Sequence, residues 1–292
     1  MKRRRFFGVA TASVPAGFLS GEASASRAAT RQLNRKLPLR LGTVTYNLGR
    51  SWDLDTIIRN CAETGFEGVE LRSTHAHGVE IDIPPEKRRE VMMQFQDSPV
   101  RLVGLGSACE YHSPDPAVLR RNIEETKAFV RLAHDVGAPG VKVRPNGLPE
   151  GVPEEKTLEQ IGLALRECGA YGNGWGVQIR LEVHGRETGR IPRIRKMLDY
   201  ADHDNVRICW NSNKTDLLDG GVETNFNLIK DRISLVHMRD LFVEEYPWRL
   251  LFRLLREMEY PGYCMAEIPE STDPIRVMKY YRTLFRAFQD LV

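Results

Sequence analysis

Val177-Gln178-Ile179-Arg180-Leu181-Glu182-Val183-His184 alternates without a break. On an extended chain Val177, Ile179, Leu181 and Val183 share one face, and Gln178, Arg180, Glu182 and His184 share the other. A sheet face covered by helices must be apolar, so the polar face has to look elsewhere. It carries charges of both signs, and isolated charges are expensive to bury. A closed parallel barrel meets both demands. The apolar face turns out to a ring of helices, and the polar face turns into a lumen where a metal, a charge network or a bound polyol supplies partners.

Seven further runs outward from this strand have the same character: Leu41–Tyr46, Gly68–Arg72, Arg101–Gly106, Gly140–Arg144, Val206–Asn211, Ser234–Met238 and Tyr263–Ile268. Each is short, apolar or β-branched, and bounded by turn residues. Helical patterns lie between them at Leu54–Thr64, Glu86–Gln96, Ala117–Val136, Glu154–Tyr171, Ile191–Ala201, Val222–Ile229, Pro247–Met258 and Asp273–Leu291. Asp53 and the Ser271-Thr272-Asp273-Pro274 stretch supply helix-start signals. Strand starts recur about every thirty to forty residues, the size of a βα unit. Eight such units predict an α/β fold, a single (β/α)8 TIM barrel over residues 38–292. The alternative is a doubly wound sheet, but no GxGxxG or GxxxxGK[ST] loop is present.

The first 37 residues lie outside that pattern. Arg3-Arg4-Arg5-Phe6-Phe7, a mildly apolar stretch from Gly8 to Leu19, and Ala23-Ser24-Ala25 form the basic, apolar and small-residue zones of an export signal of twin-arginine type. Residues 1–25 are therefore expected to be a signal peptide removed on export to the periplasm, and residues 26–37 a flexible lead-in. No later apolar run reaches the roughly 20 residues needed to span a membrane, so no membrane contact is expected after signal removal. Net charge is +3 with no basic stripe, which argues against nucleic acid. The five cysteines, Cys61, Cys109, Cys168, Cys209 and Cys264, form no CxxC pair and mostly fall within predicted elements. They are expected to act as buried small hydrophobes rather than disulfides.

In such a barrel the strands' C-terminal ends face the active site. Glu70, Arg72, His75 and His77 fall at the end of the second strand, Glu110 and His112 after the third, Lys142 and Arg144 on the fourth, and Glu182 and His184 on the fifth. Leu235, His237 and Arg239 share a face on the seventh, as do Tyr263, Met265 and Glu267 on the eighth. Glu70, Arg72, His75, His77, Lys142, Arg144, His184, Lys214 and Arg239 are candidate substrate-binding residues. A structural ion network is the competing reading, above all for Glu70 and also for Arg72, Lys142, Arg144 and Arg180. Glu182 and Glu267 are the candidate catalytic residues.

GFEGVELR at 65–72, RLEVHG at 180–185, VHMRDL at 236–241 and AEIP at 266–269 together resemble, in order and spacing, the xylose isomerase-like TIM-barrel superfamily of sugar phosphate isomerases and epimerases. The resemblance implies one divalent metal ion (Mn, Mg, Co or Zn) held by Glu182, Asn211, His237 and Glu267. It also implies that the two glutamates exchange a proton next to a carbonyl. The sixth strand departs from the pattern: Asn211 stands at the Asp position, and Asn213 or Lys214 at the following His. An amide oxygen can ligate a cation but brings no charge, so weaker metal binding is expected. Lys214 is expected to replace part of that electrostatic role or to bind an anionic group, and Asp216 is an alternative ligand. The expected function is an exported isomerase or epimerase acting on a sugar or keto-sugar. The alternatives are a 3-keto-glycoside lyase of the same fold or a catalytically impaired carbohydrate-binding protein. A nuclease of endonuclease IV type fits poorly, since it needs more metal ligands and a basic DNA-binding face. The resemblance also implies a homodimer, and the partner is expected to be a small carbohydrate.

Overall fold

The first strand, β1 (Arg40–Val44), begins two residues into the part of the chain that the computed structural model describes, residues 38–291. The expected signal peptide and lead-in lie outside the described residues. Strands and helices then alternate: α1 (Leu54–Thr64), β2 (Gly68–Arg72), α2 (Pro85–Gln96), β3 (Arg101–Glu110), α3 (Pro116–Val136), β4 (Gly140–Arg144), α4 (Glu154–Asn173) and β5 (Gln178–Glu182). They continue through α5 (Ile191–Ala201), β6 (Val206–Asn211), α6 (Gly221–Ile229), β7 (Ile233–Met238), α7 (Trp248–Glu257), β8 (Tyr263–Ala266) and α8 (Pro274–Ala287). All strand pairs are parallel. β8 closes on β1, with Arg40 opposite Tyr263 and Thr43 opposite Ala266. This is a (β/α)8 barrel, as the alternation required.

Local chemistry sets the element ends. The Asp53 carboxylate accepts the Thr56 N–H at the start of α1, and Gly65, at φ 73°, ends it in the left-handed region that favours glycine. Asp115 and Asp273 cap α3 and α8 in the same way, each followed by proline. The third strand runs past the expected Gly106 to Glu110, because Glu110 pairs in register with Arg144 of β4. The eighth is shorter than expected, but the Glu267 N–H still donates to Met238 O at 2.8 Å, so Glu267 stays tethered at the strand tip.

Two apolar regions result. The larger lies between sheet and helices and includes the outward set Val177, Ile179, Leu181 and Val183. The smaller fills the lumen with Val44, Val103, Cys209, Leu235 and Met265. All five cysteines are free and buried, as expected of small apolar side chains. Among the described residues no helix is long and apolar enough to cross a membrane.

One buried acid lies apart from the lumen. Asp216, in a 3-10 turn over Lys214–Leu217, accepts from Tyr246 Oη at 2.8 Å and from the Asn213 N–H at 3.0 Å, both on Oδ2. Burial outweighs these bonds and raises its pKa to about 7. A carboxyl whose folded pKa is raised stabilises the fold at low pH, and that contribution is lost as pH climbs from about 4 to about 7. Asp216→Asn should abolish this loss. Between pH 5 and pH 8 the variant should gain on the order of 2 kcal/mol relative to the parent, read from denaturant unfolding at the two pH values.

Candidate functional site

Above the apolar lumen layer, strands β2, β4, β5, β6 and β7 bring Glu70, Lys142, Glu182, Asn211 and His237 together in the barrel interior, all of them buried. Glu267 reaches in from the tip of β8, with its side chain 25 % exposed. His237 stands at the centre. Its Nδ1 lies 3.4 Å from Glu182 Oε1 and 3.8 Å from Glu267 Oε2, and its Nε2 lies 3.3 Å from Glu70 Oε1. Neither ring nitrogen makes a hydrogen bond of good geometry. One donor atom each from Glu182, His237 and Glu267 can be chosen so that all lie within 4.8 Å of one another. Donors 2.0–2.2 Å from a cation at tetrahedral angles sit roughly 3.4 Å apart. A buried imidazole nitrogen without a hydrogen bond, facing two carboxylates at this spacing, fits a divalent ion. Glu70 lies behind the imidazole, as an outer carboxylate that orients a metal-ligating histidine does.

The electrostatics divide Glu182 from Glu267. Burial would raise the Glu182 carboxyl, but Lys142 and then His237 outweigh it and hold it well below the usual range. Lys142 Nζ donates to Glu182 Oε2 at 2.8 Å. Glu267 goes the other way: burial raises it, and the pull of His237 is countered by the charge of Glu182. Burial alone would lower His237, yet it is held well above its ordinary value. The neighbouring Cys209 thiol is itself pushed up to about 11 by burial. It is therefore neutral near pH 7, and the carboxylates of Glu70 and Glu182 hold the imidazole's proton.

Several expectations need correction. Asn211 is oriented as a donor: its Nδ2 gives a hydrogen bond to Glu182 Oε1 at 3.2 Å. An amide can donate here, where a carboxylate would repel Glu182; to ligate a cation it must turn and present Oδ1. Lys142, expected to touch substrate, is buried and paired with Glu182. Glu70 is sealed beneath His237. His77 spends both ring nitrogens on backbone, one against Arg72 O and one accepting the Val79 N–H, so it braces a turn. Asp216 is no substitute ligand, because Tyr246 and the Asn213 N–H engage it away from the lumen.

The remaining candidates form the mouth. Arg72 donates to Ser73 O, and Arg144 donates to Glu110 Oε1 at 2.7 Å. The two guanidiniums lie close enough that the charge of Arg144 adds to burial in lowering the Arg72 pKa. His75 contacts Thr45 Oγ1 through Nδ1 and stacks on Tyr46. Burial first, then His77 and Arg72, push its pKa to about 4, so it is a neutral ring at neutral pH. His184 Nδ1 meets Asn146 Oδ1 at 2.9 Å, and Asn146 in turn donates to Glu110. His184, Lys214 and Arg239 line a cavity of about 390 Å³ together with Arg186 and Asn213. Asn146 and Tyr46 carry no such expectation from the sequence. Asn146 had one usable signal: a polar residue between Pro145 and Gly147, two residues past the tip of β4.

The family model described as xylose isomerase-like TIM barrel matches residues 58–288. A search of curated proteins finds no match. Among solved structures, 3-keto-D-glucoside 4-epimerase from E. coli superposes with a TM-score of 0.73 at 14% identity, covering 85% of this chain and 99% of that one. An L-ribulose 3-epimerase gives a TM-score of 0.74 at 16% identity, covering 86% and 95%. The IOLI protein, solved with a bound zinc atom, gives 0.68 at 16% identity, covering 87% and 98%. At such identities these likenesses speak for the fold.

Proposed function

This chain belongs to the xylose isomerase-like TIM-barrel family, and from that premise we propose that it is a metal-assisted enzyme. It abstracts a proton next to a carbonyl of a sugar or keto-sugar, as an isomerase or epimerase does. The observation that carries this reading is the set of Glu182, His237 and Glu267 around a buried imidazole nitrogen that lacks a hydrogen bond. Sugar epimerases among the similar folds support a carbohydrate substrate. The export zones at residues 1–25 favour a free or oxidised sugar over a sugar phosphate.

Glu182, His237 and Glu267 would hold the ion, with Asn211 as an oxygen donor once its amide turns. Such an ion supplies Lewis-acid polarisation of the substrate carbonyl and stabilises negative charge on its oxygen. The chain's own residues divide the rest. Glu267, pushed up in pKa and reachable from the mouth, takes the proton from the carbon beside the carbonyl. Two carboxylates whose environments separate their pKa values assign the roles. Glu182, held ionised by Lys142, is the fixed charge and the weaker base. In an epimerase a proton must reach the opposite face, and the Lys142 ammonium, which donates to Glu182 Oε2, is the group on that side with one to give. His75, His184 and Arg239 bind and orient the sugar hydroxyls, and Lys214 sits at the rim. A 3-keto-glycoside lyase would share the first step and then expel the glycosidic oxygen, since the site favours no single fate for the resulting carbanion.

Calorimetric titration of chelator-treated protein with Mn²⁺, Co²⁺ and Zn²⁺ tests the site. One ion per chain is expected, with binding weakened by roughly 10–100-fold in Glu70→Gln through loss of the outer carboxylate. Binding unchanged in both Glu70→Gln and His237→Ala would place the ion elsewhere.

A further inference from the structure

At the opposite end of the barrel the strand starts enclose a second cavity, of about 470 Å³. Arg40, Arg101, Arg180 and Arg207 line it, with Gln178 and Ser234, and no lining residue is acidic. Three of these arginines have specific partners other than carboxylates. Arg40 stacks 4.2 Å over the Tyr263 ring. Arg180, 5 % exposed, donates from Nε to Gln178 Oε1 at 3.1 Å and from Nη1 to Val103 O at 2.8 Å. Arg207 Nη2 donates to the backbone oxygen of Asp231 at 3.0 Å. The nearby carboxylates of Asp204 and Asp231 are taken by Arg232. Arg207 Nε and Ser234 Oγ are buried without a hydrogen-bond partner. Arg180 and Arg207 are opposite one another in the β5–β6 register, so their side chains leave the sheet side by side.

We propose that this cavity is an oxyanion site that takes a phosphate group. Guanidiniums present N–H groups in a fork that matches phosphate oxygens two at a time. Like charges gathered without counterions are costly, and a bound dianion relieves the cost. Burial lowers the Arg207 pKa and the charge of Arg232 lowers it further; the carboxylates of Asp231 and Asp204 act the other way but do not offset them. The volume lies within the range of small-molecule sites, about 300–1,000 Å³, so it holds a phosphate with a small organic remainder. Val44, Val103, Cys209, Leu235 and Met265 separate it from the glutamate–histidine cluster. It is therefore a second site, joined to the first only through Arg180, whose charge is favoured by Glu70.

The experiment is calorimetric titration of the full chain, in low-salt buffer free of phosphate, with inorganic phosphate and separately with glucose 6-phosphate. One site per chain is expected, weakening as salt rises. Arg101→Ala and Arg207→Lys should each weaken it by about tenfold, since loss of one forked contact is worth roughly that factor. Arg101 is exposed and Arg207→Lys keeps the charge, so both variants should fold. Lys214→Ala, at the opposite mouth, should leave binding unchanged. Equal affinity for the two ligands assigns the site to the free ion, and tighter binding of the ester assigns it to a phosphorylated metabolite. Absence of binding by both ligands, or binding lost in Lys214→Ala and retained in Arg101→Ala and Arg207→Lys, would overturn the proposal.

Discussion

Glu267→Gln should lower the rate at which the protein exchanges a substrate C–H for solvent deuterium by about 10²–10⁴-fold, the usual contribution of a positioned general base. Glu182 is pinned by Lys142 at 2.8 Å and held ionised well below the usual carboxylate range. A carboxylate so stabilised is a poor proton acceptor. Glu267 has no hydrogen-bonded cation, is raised by burial, and opens to the mouth. The amide substitution preserves shape, and the backbone bond from Glu267 N to Met238 O does not depend on the side chain. The melting temperature should therefore move little. An equal exchange rate in the variant, measured with the ion bound, would remove Glu267 from the chemistry and shift the base to Glu182.

Asn211→Asp should act in opposite directions with and without metal. The Asn211 amide donates to Glu182 Oε1 at 3.2 Å. Replacing that donor by a carboxylate places two negative oxygens at this distance in a buried site. With chelator present, the variant should be less stable by on the order of 2 kcal/mol, the scale of a partly screened like-charge contact. With Mn²⁺ the added charge becomes a ligand charge, and affinity should rise by about tenfold or more, since ligand charge tunes such sites. Stability then rises with occupancy, because the ion binds only the folded chain. Unfolding curves of both proteins, in chelator and in millimolar Mn²⁺, should cross. If Asn211→Asp is as stable as the parent in chelator and binds Mn²⁺ no more tightly, position 211 is not part of the site.

Much of this arrangement can be read from strand parity. The alternation from Val177 to His184 separates lumen from helix-facing side chains, and the same parity brings Glu182, His237 and Glu267 inward on three strands. Parity does not give depth. Glu70 and Arg72 share a face, as do Lys142 and Arg144, but successive same-face residues differ in height by about 6.6 Å along a strand. The stagger of the barrel decides which level meets His237. Glu70 and Lys142 fall at the level of the imidazole and become its buried surroundings, whereas Arg72 and Arg144 stand one layer higher at the mouth. Glycines permit this depth: a Cβ at Gly106 would come within 2.9 Å of Glu70 Oε1, and one at Gly140 within 2.5 Å of Arg180 Nε. His77 illustrates a second limit. A histidine after a strand tip looks like a site residue, but a local turn brings backbone partners to both its nitrogens. The direction of the Asn211 amide follows from the carboxylate beside it, and the neighbour of β6 is not visible in β6 alone.

On the proposed reading, Glu182, His237 and Glu267 hold an ion and move a proton beside a carbonyl. Solvent-deuterium exchange into a panel of free keto-sugars and 3-keto-glycosides, followed by NMR with and without Mn²⁺, tests it most directly. Deuterium should appear at the carbon next to the carbonyl in at least one substrate, only when the ion is present, and should fail to appear with Glu267→Gln. No exchange in any substrate with the ion demonstrably bound, or exchange that persists in chelator, would contradict the account.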